Sequence, residues 1–193
     1  MTAIDRAQED LHYVASAVRR EDRDDGIPVI YYLWAVLVAI GWALPDFAPQ
    51  WTGLYWIVVG PAGGLASWWI GSRQGAKAGI NDAALGRRYA YHWLLALLAF
   101  CLVFLPAISG RVSAEEAAIN VLLVAGLTYA LAGVHLERPL LWSGLLALGG
   151  YVALSTLDLP FLWTSSGLVV AASLILAGLT SRRREPPRTH EGA

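Results

Sequence analysis

The sequence predicts an all-α membrane protein: a bundle of six transmembrane helices in three antiparallel hairpins, preceded by a cytoplasmic amphipathic helix. Three observations predict it. Six stretches reach or approach the roughly 20 mostly apolar residues that a helix needs to cross a bilayer, and none of them contains Asp, Glu, Lys or Arg. Only 15% of the 193 residues are charged, against about 25% in a soluble domain, and those charges are gathered between the stretches. The nine Trp and eight Tyr suit the two headgroup levels, where amphipathic rings collect.

Residues 1–26 come first, as a helix and an acidic linker. Over 2–20 the apolar residues Ile4, Ala7, Leu11, Val14 and Val18 recur at three and four, the helical period. Thr2 and Asp5 suit the N-cap and the first turn. The opposite face mixes Asp5, Arg6, Glu9 and Asp10 with Arg19 and Arg20, whereas a helix lying on anionic lipid is rich in Lys and Arg. The stripe of Ile4, Leu11, Val14 and Val18 is therefore expected to dock on protein, either a cytoplasmic partner or another copy. Residues 21–26 and Pro28 end the helix. This polar start lacks the apolar stretch of a cleavable signal, so the first span is expected to serve as its own insertion signal.

The spans are predicted at 27–44, 54–71, 89–105, 117–134, 140–157 and 160–179, within one membrane domain over 27–181. Short connections join the first to the second, the third to the fourth and the fifth to the sixth, which makes antiparallel hairpins. Orientation follows from Lys and Arg near the span ends. Arg6, Arg19, Arg20 and Arg23 precede the first span; Arg73, Lys77, Arg87 and Arg88 lie in the second loop; Arg138 lies in the fourth; Arg182, Arg183, Arg184 and Arg188 occupy the Pro-containing tail, 182–193. Arg111 alone falls on the other side. Both termini are thus expected in the cytoplasm, in a bacterial-type inner (plasma) membrane. The outer loops 45–53, 108–116 and 155–159 are too short to build a domain.

Within the second span, Gly60, Pro61, Gly63 and Gly64 lie together, and Pro61 withholds a backbone donor. This segment reads as a helix break and as the packing centre of the bundle, with Asn120, Thr128 and Tyr129 of the fourth span as polar partners of the freed backbone. Small residues spaced by four let helices approach closely. Gly60 with Gly64, Gly126 with Ala130, Gly167 with Ala171, and Ser173 with Ala177 place that spacing on the second, fourth and sixth spans. The third and fifth spans are expected to face lipid.

Uncharged spans argue against ion-coupled transport, which needs buried charge. Two histidines remain, His92 early in the third span and His135 late in the fourth, at matching depth. They either cap at the membrane interface or hold a haem iron or a divalent metal; otherwise no cofactor is expected. Cys101 is the single cysteine, so no disulfide and no Cys-based metal site forms within one chain. Residues 71–79 carry no P-loop pair, and no HExxH or depth-matched Ser-His-Asp set occurs. A non-enzyme is expected, with the bilayer as its medium and no nucleic-acid partner. Short outer loops, uncharged spans and an amphipathic helix suited to a partner favour a membrane-anchored sensor, regulator or accessory subunit working through its cytoplasmic face. The alternatives are a small uncoupled transporter or channel for a neutral or apolar solute at the Gly60–Gly64 break, and a bis-His haem or metal protein.

Overall fold

The computed structural model describes residues 26–78, 83–157 and 159–182, and every regular element among them is an α-helix. In chain order these are α1 (Pro28–Phe47), α2 (Pro49–Ala78), α3 (Ala83–Ile108), α4 (Ala114–His135), α5 (Arg138–Thr156) and α6 (Leu162–Arg182). The predicted amphipathic helix, with Ile4, Leu11, Val14 and Val18, lies outside the described residues, as does most of the basic tail.

Local chemistry sets several helix ends. α1 and α5 begin with a proline in their first turn, where the missing donor would be unpaired in any case. α4 opens on a capping box: the Ser113 hydroxyl accepts from the Glu116 amide at 3.1 Å, and the Glu116 carboxylate accepts from the Ser113 amide at 2.7 Å. At the start of α6 the cap comes from another helix. The Asp46 carboxylate, at the end of α1, accepts from both the amide and the hydroxyl of Thr164 at 2.7 Å. That places negative charge at the positive end of α6.

Five of the six helices, α1, α3, α4, α5 and α6, are long and apolar enough to cross a membrane. α2 is the longest at 30 residues but does not reach the same apolarity. Its glycines, Pro61 and Ser67 supply little apolar surface, and its tryptophans carry a polar N–H.

α4 is the centre of the bundle. It packs against α3, α5 and α6, and its Ala118, Leu122 and Ala132 are wholly buried. α6 also packs against α1 and α5. α4 and α5 touch backbone to backbone, because Gly133 lies on Leu141 and Gly144 lies on Ala130; a side chain at either glycine would collide with main-chain atoms. Lipid offers no hydrophobic drive for helices to pair, so such close approach is what association rests on. Between α5 and α6 the buried Ser143 hydroxyl donates to the Ser173 carbonyl at 2.6 Å.

The second span is not the packing centre. Among the described residues α2 packs only on α1, where Tyr55 and Trp56 cover Gly41 and the Tyr55 hydroxyl donates to the Leu37 carbonyl at 2.8 Å. Gly60 and Gly64 have open space where a side chain would be, Pro61 is exposed, and only Gly63 meets a neighbour, against Leu37 and Trp34. Nor does the helix break: α2 runs as one element through Pro61. The other small pairs do lie at contacts, Gly126 on Leu148, Gly167 on Trp42, and Ser173 and Ala177 fully inside. The expected order of the outer helices changes with this. α3 is exposed along Leu94, Leu95, Leu98 and Leu102, as predicted, but the second helix on the outside is α2, while α5 is built into the centre.

Candidate functional site

Bonded polar side chains collect where α1 and α3 begin and where α4 hands over to α5. The turn between α4 and α5 consists of Leu136 and Glu137. Glu137 stands at the N-cap position of α5 but does not cap it. Its carboxylate turns instead to two tyrosines. Oε1 accepts from the Tyr89 hydroxyl of α3 at 2.7 Å, and Oε2 accepts from the Tyr31 hydroxyl of α1. Tyr31 is 4% exposed, so its hydroxyl meets this carboxylate inside the protein. Gly26, at a φ of 70°, lies against the same pair, and a side chain there would strike both Tyr31 and Glu137. One half-buried carboxylate thereby ties together three elements that are distant in sequence.

His92 follows Tyr89 by three residues and shares its face of α3. His135 precedes Glu137 by two. The two imidazoles meet, with His135 Nε2 3.2 Å from His92 Nδ1 and ring centroids 4.9 Å apart. His135 is exposed and His92 half-buried. The other nitrogen of His92, Nε2, is buried without a hydrogen-bond partner among the described residues. Trp93 stands edge-on to His92 and 6.1 Å from the Tyr129 ring, closing the apolar side of the pair.

No family model, curated protein or solved structure matches this chain. The site is therefore read from its own geometry.

Of the residues singled out in the sequence, only His92 and His135 are brought together. Thr128 and Tyr129 are buried on α4 and Asn120 is half-buried there, but α4 makes no contact with α2, so none of them is a polar partner of Pro61. Gly60, Pro61 and Gly64 face away from the bundle. The two histidines leave no plane between them for a macrocycle, since a haem iron holds axial imidazoles on its opposite faces and these nitrogens are 3.2 Å apart. Among the described residues no three His, Cys, Asp or Glu side chains gather at a point.

Sequence reasoning missed Glu137 as a hub. The available signal was a carboxylate in a two-residue turn between two spans, where little room exists for it to reach solvent. It also missed Asp46, whose signal was an acid just beyond the first span and a threonine in the first turn of the last. Two clefts open at the Asp46 end, one beside Leu105, Ile108 and Arg111, the other between Glu115, Ile119 and Leu157. Neither contains any residue of the histidine or Glu137 groups.

Proposed function

We propose that this chain is an integral membrane protein of six spans in three antiparallel hairpins, with both termini in the cytoplasm, acting without catalysis as a membrane-anchored sensor, regulator or accessory subunit. The observation that carries this reading is the location of the Glu137 tie and the histidine pair. Both lie at the helix ends flanked by Arg73, Arg87, Arg88 and Arg138, which the excess of Lys and Arg assigns to the cytoplasm. This polar surface lies where α1 begins, just after residues 1–26 in the sequence, whose apolar stripe is suited to a protein partner or to a second copy. The Arg73 guanidinium lies 3.9 Å from the Trp69 ring, an arrangement suited to a headgroup level. A bacterial-type inner membrane suits this count. α2 enters the bilayer as the sixth span by virtue of its length and its packing on α1, despite its lower apolarity.

The competing reading, an uncoupled transporter or channel at Gly60–Gly64, lacks both the break and the facing polar residues it needs. The test is in-cell crosslinking from photo-reactive residues at positions 11 and 14, followed by mild-detergent isolation of the intact complex. A discrete crosslinked partner or dimer is expected, and the protein that co-isolates with the unlabelled chain should be lost on deletion of 2–20. An isolated monomer that crosslinks to nothing, together with solute flux in liposomes, would reverse the reading.

A further inference from the structure

We propose that His92 and His135 form a binding site for one divalent transition-metal ion, of the zinc or copper(II) class, at the Glu137 end of the bundle. The inference goes beyond the regulatory reading and stands or falls without it. Two nitrogens 3.2 Å apart subtend about 100° at an ion about 2.05 Å from each, close to the tetrahedral angle. The separation that permits a hydrogen bond is thus also the bite of a two-imidazole chelate.

Three features favour the ion. The nitrogens that face each other are Nε2 of His135 and Nδ1 of His92, so both lone pairs converge once each ring carries its proton on the far nitrogen. For His92 that far nitrogen is Nε2, which is buried, while Nδ1 faces His135 and is the nitrogen open to an ion. The spacing is also preset. Tyr89, one turn before His92, is held by Glu137, two residues after His135, so α3 and α4 are clamped next to the pair whether or not an ion is present. His135 is exposed, which leaves the remaining coordination positions to water. Imidazole nitrogen is a ligand of choice for zinc and copper(II), whereas magnesium and calcium require oxygen.

The test uses the full chain in detergent with a tag that contains no histidine and with His12 and His190 changed to alanine, so that the pair is the only imidazole source. Zinc is titrated against a chromophoric chelator, and cobalt(II) is added in parallel as an optical probe. One ion per chain is expected, with tetrahedral cobalt bands in the visible. His92→Ala, His135→Ala and the double variant should each weaken binding at least tenfold and to a similar degree, because a chelate fails when either arm is lost. Zinc should also raise the melting temperature of the parent and not of His135→Ala, whose exposed side chain can be removed without disturbing the core. Equal zinc affinity in parent and double variant would mean that the pair is only hydrogen-bonded and would overturn the proposal.

Discussion

At the turn between α4 and α5, one carboxylate takes hydroxyl donors from two other helices, so its removal acts on three elements together. Glu137→Ala should lower stability by about 1–3 kcal/mol, the usual cost when buried hydroxyls lose a charged acceptor. Denaturant unfolding in micelles measures it, with Tyr31→Phe giving a smaller loss because Tyr89 keeps its bond. At the other end Asp46→Ala should remove about 1 kcal/mol by uncapping α6, and Asp46→Asn should recover part of it. No loss in Asp46→Ala would show that the carboxylate does not cap the helix. Residue-level legibility was uneven for a physical reason. His92 and His135 were found because depth can be counted along each span, and equal depth on successive helices brings side chains together. Glu137 and its tyrosines are 106 and 48 residues apart in sequence. A carboxylate beside Arg138 reads as a surface ion until the tyrosines are placed.

At the scale of helices, the small-residue spacing was a valid guide to close approach but did not say which helices would use it. Gly133 and Gly144 are the tightest points of the α4–α5 contact, and neither belongs to the spaced pairs read from the sequence. Gly133→Leu or Gly144→Leu should force the helices apart and cost about 1–3 kcal/mol or abolish folding. Gly64→Leu, by contrast, projects into open space and should leave the melting temperature of the isolated chain unchanged within error. If both substitutions prove equally harmful, the assignment of α2 to the periphery fails. The Gly60–Gly64 segment misled because a run of glycines records permission for close approach, not the presence of a neighbour. What decided the matter was volume: Tyr55, Trp56 and Trp34 fill the space between α1 and α2 and hold the glycine face outward.

For the whole molecule, the all-helical class and the six helices among the described residues were legible because lipid permits few solutions for an uncharged chain segment. Which helix lies beside which was not, since apolar spans carry little that distinguishes one partner from another. Orientation can be tested directly. In a Cys101→Ser background, a cysteine at Ser113 should react with a membrane-impermeant maleimide in intact cells, and one at Ser72 only after permeabilisation; the reverse pattern would invert the topology. The seating of α1 on α6 has a consequence in time. α1, the first of the described helices to be made, finds its place only when α6, the last of them, has followed: Trp42 packs on Gly167, Tyr32 on Gly178, and Asp46 reaches across 118 residues to Thr164. Until then Val38 and Trp42 lack the Gly167 face of α6 that covers them. A chain ending before Leu162 should therefore insert but be degraded faster than one that includes α6 in a pulse-chase, so that the making of α6 itself becomes the checkpoint for survival.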